Sequence, residues 1–203
     1  MRTIGWDPES PLADQLKIWC AEGSAFDVLH VVFDGSGAEE YLGWTQIAPW
    51  TRTRVVTVAE LRSSLCGAEL AVALCADVVY LRRGVELQVD EAVPQPGLVW
   101  ALGRAGRAAL SRGLLDATAI DGREAVRLGL AQRVLDGREP VPVPSGASPV
   151  ARATARDIMR TDVNSRSALE LASFRLLFAS GDPKEGADAF LERRDPVFDD
   201  LEG

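Results

Sequence analysis

Histidine and cysteine are scarce in this 203-residue chain, and their scarcity bears on metal and disulfide sites. There is one histidine, His30, and the three cysteines, Cys20, Cys66 and Cys75, lack the spacing of metal ligands. An odd number of cysteines without a framework spacing predicts small buried side chains in a reducing compartment. We therefore predict neither a metal site nor a disulfide.

Clustered basic charge and long apolar runs are also missing. The net charge is −8, whereas a nucleic-acid surface needs clustered lysine and arginine. No apolar run approaches the roughly 18 residues that span a bilayer. Residues 1–11 carry Asp7 and Glu9 in place of the basic-then-apolar pattern of a signal peptide. These absences predict a cytoplasmic protein that binds neither nucleic acid nor membrane.

Apolar residues make up 47% of the chain, which at this length suits one sizeable core and one domain. The pattern predicts a helix over residues 11–21, a buried strand over 28–33, a strand over 54–58, a helix over 65–74 and a strand over 78–81. Strand, helix and strand in this order predict an α/β fold with a parallel sheet and helical crossovers. His30, inside the first of these strands, is predicted to be a satisfied core imidazole.

The second half of the chain is mostly helical by the same criteria. Helices are predicted over residues 98–115, 123–128, 149–177 and 183–194, with a short strand over 131–135. Residues 141–150 are rich in proline, serine and glycine, which is typical of a loop. We therefore divide the chain into a core (1–140), a proline-rich loop (141–150) and a helical region of the same domain (151–203).

The tail carries the most specific motif. Residues 180–186 read SGDPKEG and are followed by AFLERR at 189–194 and PVF at 196–198. This string resembles the closing signature of the crotonase (enoyl-CoA hydratase/isomerase) superfamily, and residues 54–81 and 96–136 resemble two earlier elements of that family in the same order. The chain is identified as a shortened and divergent member.

The resemblance implies a ClpP/crotonase-like α/β fold, with repeated ββα and βαβ units and a helical C-terminal tail. It also implies an enzyme of the enoyl-CoA hydratase/isomerase type, a lyase or an isomerase, that acts on an acyl-CoA or acyl-carrier thioester. Coenzyme A would enter as part of the substrate, and no separate cofactor is implied. By the same resemblance the tail helps to cover the site and to build a homotrimer or a hexamer.

Residues 54–71, RVVTVAELRSSLCGAELA, match without a gap the family's strand that runs into "G-G-G-x-E-L-A". Cys66 and Gly67 then stand in the glycine triplet, and Glu69 takes the place of the acid. A thioester enolate carries negative charge on one oxygen, and backbone amides at a helix N-terminus stabilise such charge. We therefore predict the Cys66 and Gly67 amides as substrate donors and Glu69 as the group that transfers a proton.

The chain departs from the family pattern at several points. Leu65 replaces the first glycine of the triplet, and the N-terminal hairpin is shortened. The loop that supplies a further oxyanion amide lacks its motif, so the amide of Gly35 or Gly37 is predicted to substitute, with Gly43 as another possibility. Asp90 and Glu91 lie roughly where hydratases carry a second catalytic carboxylate, and the sequence does not decide between them.

These departures leave alternative functions open. One is the tailoring of a carrier-bound thioester in specialised metabolism, by decarboxylation or cyclisation. Another is a non-catalytic crotonase-fold partner that stabilises an assembly. A Clp-like serine protease needs a serine, a histidine and an aspartate within reach of one another. Ser63 and Ser64 lie near the right turn, but the single histidine, His30, lies upstream on a strand. This alternative is therefore disfavoured.

Overall fold

Five parallel strands form one sheet in the computed structural model of the chain, in the order β1 (Arg2–Gly5), β2 (Val28–Phe33), β3 (Val56–Leu61), β4 (Val78–Arg82) and β7 (Arg133–Leu135). The short strands β5 (Glu86–Leu87) and β6 (Ile120–Asp121) form a separate antiparallel pair. The structure describes residues 2–5, 7, 10–23, 28–35, 42–53, 55–89, 96–106, 108, 111, 118–144, 148–160 and 182–197.

Helical crossovers connect the first four parallel strands, as parallel pairing requires. Helix α1 (Leu12–Gly23) lies between β1 and β2 in the chain, α2 (Trp44–Arg52) between β2 and β3, and α3 (Gly67–Leu74) between β3 and β4. The helices that follow in the described residues are α4 (Pro96–Ala105), α5 (Gly122–Arg127), α6 (Pro149–Arg160) and α7 (Asp182–Glu192). The predicted α/β class with a parallel sheet is therefore confirmed.

Most predicted elements are present, with shifted ends. Strand β3 begins two residues later than predicted and continues to Leu61, three residues beyond the predicted end. Strand β1 and helix α2, which contains Pro49, were not predicted. Of the predicted helices over 98–115 and 149–177, the structure shows Pro96–Ala105 and Pro149–Arg160, and the continuations lie largely outside the described residues.

The two faces of the sheet follow the alternation of side chains along its strands. One face packs into the main core with residues of α1 to α4, and its strand residues include Leu29, Val31, Phe33, Ala59, Leu61, Val79 and Leu81. The opposite face carries a second, smaller cluster built from Val28, Val56, Val58, Tyr80 and Leu135, against which Val141 and Val143 pack.

A buried charge network lies on that opposite face. Glu60 on β3 is 1% exposed, and its carboxylate accepts hydrogen bonds from Arg62 Nε at 2.9 Å and from Arg82 Nε at 2.7 Å. His30 Nε2 lies 3.1 Å from Glu60 Oε2, at an angle short of a well-aligned hydrogen bond, and His30 Nδ1 lies 3.2 Å from Thr3 Oγ1. The predicted burial of His30 in the core is confirmed, but within the described residues Nδ1 has a hydrogen-bond partner and Nε2 does not.

The charges in this network shift each other's protonation. Burial lowers the pKa of His30, and the opposing attraction of Glu60 does not restore it, so the ring is neutral at pH 7. Burial disfavours the ionised form of Glu60, but hydrogen bonds from Arg62 and Arg82 outweigh that effect and lower the pKa of the carboxyl group. Glu60 is therefore a buried carboxylate whose charge is matched by two guanidinium groups.

Two compact units divide the chain, residues 1–143 and residues 144–203, with the boundary inside the predicted proline-rich loop. The second unit contains α6 and α7. In it, Arg194 Nη2 donates to Glu185 Oε2 at 3.0 Å and the Val197 amide donates to Glu185 Oε1 at 2.7 Å. The Arg194 bond is the main cause that lowers the pKa of Glu185 to about 2. Within the described residues, the helices lack the length and apolar character of a membrane span.

Candidate active site

The turn between β3 and α3 holds the residues predicted to bind the substrate. Cys66 has an extended backbone (φ −135°, ψ 177°) and is the N-cap of α3, and Gly67 follows with φ +55°. A positive φ is strained for residues with a side chain and is natural for glycine. The turn therefore has glycine at the position where its backbone is left-handed.

The helical hydrogen-bond ladder of α3 begins at Leu70, whose amide donates to the Cys66 carbonyl at 3.1 Å. The amides of the first helical turn before Leu70 are thus outside that ladder, as at the start of any helix. Cys66 itself is exposed, which corrects the expectation of a buried cysteine, because the N-cap lies at the surface end of the helix. Cys75, at the other end of α3, is buried as expected.

Strand β5 holds this turn in place. The Leu65 amide donates to the Glu86 carbonyl at 3.3 Å, and the Leu65 carbonyl accepts from the Gln88 amide at 2.9 Å. The Glu86 amide in turn donates to Ser64 Oγ at 3.0 Å. Three hydrogen bonds therefore fix residues 64 and 65 immediately before the candidate substrate donors.

Glu69 lies in the first turn of α3 and is 5% exposed. Its Oε1 accepts a hydrogen bond from the Gly35 amide at 3.3 Å. Gly35 lies two residues after the end of β2. The bond therefore joins the carboxyl end of β2 to the acid that follows β3. The acid is consequently held within the protein, beside the turn that carries Cys66 and Gly67, and does not extend into solvent.

Gly35 is in close contact with the β3–α3 turn. Its φ is +79°, and a Cβ added there would lie 2.2 Å from Ser63 Oγ and 3.0 Å from the Ser64 carbonyl oxygen. Both the backbone angle and the crowding therefore require glycine. In this structure the Gly35 amide donates to Glu69, so it orients the acid, and the Cys66 and Gly67 amides stay the predicted donors for a substrate oxygen.

Replacing Gly35 by alanine is expected to cost at least about 2 kcal/mol of unfolding free energy, because a left-handed backbone and overpacking each carry a penalty. Gly129→Ala is the matched control, since Gly129 has φ +76° but an added Cβ there meets nothing within 4 Å. Urea denaturation of both variants measures the difference. Equal losses would show that the Ser63 contact adds no crowding.

The structure places the other predicted residues as follows. Gly37, Asp90 and Glu91 lie outside the described residues. Gly43 is the residue before α2, and its amide donates to Gln46 Oε1 at 2.8 Å. That amide is therefore engaged in capping α2. Cys66, Gly67, Glu69 and Gly35 are the predicted site residues that the structure brings together.

Sequence reasoning did not assign a role to Ser63 or to the link between Gly35 and Glu69. The partners of that link are 34 positions apart, and the strand and helix patterns between them do not indicate that they make contact. A signal for Ser63 was available in the pair of serines that begins two residues after β3, at the strand end where sites on parallel sheets collect.

The chain is similar to known proteins in its fold and, over part of its length, in its sequence. No protein-family model matches the chain. An enoyl-CoA hydratase/isomerase from Cupriavidus metallidurans CH34 has a similar structure, with a TM-score of 0.74, 22% identity, and coverage of 95% of this chain and 86% of that one. An enoyl-CoA hydratase from Polaromonas sp. JS666 gives a TM-score of 0.70 at 17% identity, covering 92% and 87%. The chain has the crotonase fold.

A curated relative adds a sequence match within this fold. The crotonyl-CoA hydratase of Syntrophomonas wolfei subsp. wolfei is 34% identical over 96 residues, which is 42% of this chain. The match spans 37% of the length of that relative. The resemblance to the crotonase superfamily that the motifs indicate is thus confirmed.

Proposed function

We propose that this crotonase-fold protein is an enzyme that acts on an acyl-CoA thioester by enoyl-CoA hydratase, dehydratase or isomerase chemistry. The observation that carries the proposal is the position of Glu69, a nearly buried acid in the first turn of α3, oriented by the Gly35 amide. A carboxylate beside helix N-terminal amides can exchange a proton with a carbon whose neighbouring carbonyl those amides polarise.

The proton balance of the step is simple. Removal of a proton from the carbon next to the thioester carbonyl leaves an enolate, whose charge falls on the carbonyl oxygen. The Cys66 and Gly67 amides would donate to that oxygen, and Glu69 would hold the proton and return it. Isomerisation needs this one acid, whereas hydration needs a second carboxylate to activate water. Asp90 or Glu91 is the proposed second group.

Product analysis by mass spectrometry on a panel of thioesters tests the proposal. The panel contains enoyl-CoA, 3-hydroxyacyl-CoA and malonyl-type CoA thioesters, each with its acyl-carrier counterpart. Interconversion of the enoyl and 3-hydroxyacyl forms supports hydratase chemistry, and a moved double bond supports an isomerase. Carbon dioxide release would favour the tailoring alternative. Thioester binding without turnover would favour a non-catalytic role.

We also propose that the protein assembles as a homotrimer or a hexamer. Large apolar side chains are exposed on and after α7: Phe190 is 82% exposed, Leu191 76% and Val197 75%. Contiguous exposed apolar surface is typical of an interaction site. We therefore expect Phe190→Asp to lower the molar mass measured by light scattering, and Phe190→Leu to preserve it. A monomeric wild-type protein, or an unchanged mass for Phe190→Asp, would contradict this assembly.

A further inference from the structure

Ser63 carries a hydroxyl group that the fold does not use. Its Oγ is buried and has no hydrogen-bond partner in the described part of the chain. The adjacent Ser64 behaves differently, because its Oγ accepts the Glu86 amide that helps to hold the turn. Of the two neighbouring serines on this turn, Ser64 thus makes a hydrogen bond that supports the structure, and Ser63 makes none with the described residues.

An unpaired buried hydroxyl is unfavourable, since it has lost its hydrogen bonds to water and gained none in the protein. Alanine at position 63 would avoid that cost. Buried polar groups that stay unpaired in a folded protein call for an explanation, and a catalytic role is one of the recognised explanations. The hydroxyl of Ser63 is therefore a candidate for contact with a bound molecule.

The position of Ser63 identifies the site concerned. The Cβ position of Gly35 lies 2.2 Å from Ser63 Oγ, so the hydroxyl is packed against Gly35. The amide of the same glycine donates to Glu69 Oε1 at 3.3 Å. Ser63 also lies three residues before Cys66 on the turn that β5 holds in place. The hydroxyl consequently belongs to the same group of residues as the proposed acid and the proposed amide donors.

Of the loop amides predicted to bind the substrate oxygen, the two in the described residues are already used. The Gly35 amide serves Glu69, and the Gly43 amide serves Gln46 Oε1, so in this structure neither is directed to a ligand. Oxyanion sites are built from backbone amides and also from serine hydroxyls. A hydroxyl can rotate to aim its proton, which a backbone amide cannot do.

We propose that Ser63 is a donor to the substrate, with its Oγ–H bonding to the thioester carbonyl oxygen as that oxygen gains negative charge. The hydroxyl supplements the amides of the β3–α3 turn and takes the place of the loop amide whose motif the sequence lacks. This inference rests on the proposed function, because it assigns a residue to the same reaction. No bond other than a hydrogen bond forms at Ser63, and the proton carrier is still Glu69.

Two alanine variants on the same turn test the assignment. Ser63→Ala is expected to lower kcat by about 10²-fold, the effect typical of losing one oxyanion donor, while its thermal midpoint stays equal to or above that of the wild type. Ser64→Ala removes a structural acceptor, so its thermal midpoint is expected to fall, with a smaller change in kcat. Turnover is measured with the thioester that the unmodified protein converts.

A binding measurement separates a donor from a group that only fills space. Acetoacetyl-CoA is a suitable probe, because the enolate of this β-keto thioester absorbs in the near ultraviolet and an oxyanion donor favours the enolate. We expect the wild type to raise the enolate absorbance on binding and Ser63→Ala to reduce that signal several-fold. Ser63→Thr keeps a hydroxyl and is expected to retain more of the signal than the alanine variant.

The outcomes distinguish this inference from the proposed function. If the wild type turns over a thioester and Glu69→Gln abolishes turnover while Ser63→Ala retains it, the inference is overturned and the proposed function stands. A fall in thermal midpoint for Ser63→Ala as large as that for Ser64→Ala would also overturn it, by showing a structural role. Absence of both turnover and thioester binding in the wild type overturns both.

Discussion

Replacing Glu69 by glutamine is expected to lower the kcat of thioester turnover by about 10²- to 10⁴-fold, the usual contribution of a positioned acid or base. Glutamine has the same shape and still offers an oxygen to the Gly35 amide, but it cannot take up or return a proton. The Kd for the same thioester is therefore expected to stay within a few-fold. Steady-state kinetics and calorimetric titration measure the two quantities separately.

Glu86→Gln is the matched control for this variant. Glu86 has an exposed side chain, and its amide and carbonyl are what bind the β3–α3 turn. The same chemical change at position 86 should leave kcat and Kd unaltered. A parallel fall in kcat and kcat/KM for Glu69→Gln indicates an interaction made only in the transition state. Turnover within twofold of the wild type would show that Glu69 does not carry the proton.

The predicted part of the site is the part whose residues are close together in sequence. Cys66, Gly67 and Glu69 lie on one turn and the start of one helix, so an ungapped motif fixes their relative positions. The bond from Gly35 to Glu69 joins residues 34 positions apart and depends on β2 and β3 being adjacent and parallel. Local patterns carry no information on such a contact, and the sequence consequently left the role of Gly35 open.

The end of β3 illustrates the same limit. A charged residue usually ends a buried strand, so the pattern favoured a strand that stops at Val58. Glu60 is nevertheless 1% exposed, because Arg62 comes from the same strand end and Arg82 from the neighbouring β4. Arg82, whose guanidinium group balances the buried charge of Glu60, is 22 positions from Glu60 in the sequence. Tertiary contact here outweighs the local preference.

Strand β1 and helix α2 were not predicted from the sequence because tertiary contacts stabilise them as well. Strand β1 has four residues and pairs along its whole length with β2, so most of its stabilisation comes from its partner. Helix α2 contains Pro49, and proline is unfavourable inside a helix because it lacks the backbone N–H donor. Four of its residues, Ile47, Ala48, Trp50 and Thr51, are buried. Packing of such a face stabilises a short helix that local propensity alone would not.

The Glu60 network connects the stability of the sheet to the candidate site. Arg62 lies two residues after Glu60, and its amide donates to the Phe33 carbonyl at 2.8 Å. Immediately beyond that bond the two chains continue as Asp34–Gly35 and as Ser63–Ser64. The spacing between Gly35 and the β3–α3 turn therefore depends on how firmly the ends of β2 and β3 are held together.

Replacing Glu60 by alanine is expected to lower the unfolding free energy by about 3 kcal/mol or more, since removing one partner of a buried ion network leaves the others uncompensated. The Arg82 guanidinium and the His30 ring lose their shared carboxylate, and both are largely buried. Arg62→Ala should cost less, about 1 kcal/mol, because the side chain of Arg62 is 55% exposed. Urea denaturation at pH 7 measures both values.

The pH dependence gives this prediction a second, independent test. The pKa of Glu60 is lowered below its ordinary value of 4.5, so its contribution is present above pH 4.5 and is lost as the pH falls through the folded-state pKa. The difference between the wild type and Glu60→Ala should therefore be largest near neutral pH and shrink in acid, where the wild-type carboxylate is also protonated. Since hydrophobic replacement of a buried ion pair is often well tolerated, Glu60→Leu with Arg82→Leu should recover part of the loss. A constant difference from pH 7 to pH 3 would indicate that the penalty comes from the lost side-chain volume and not from the charge.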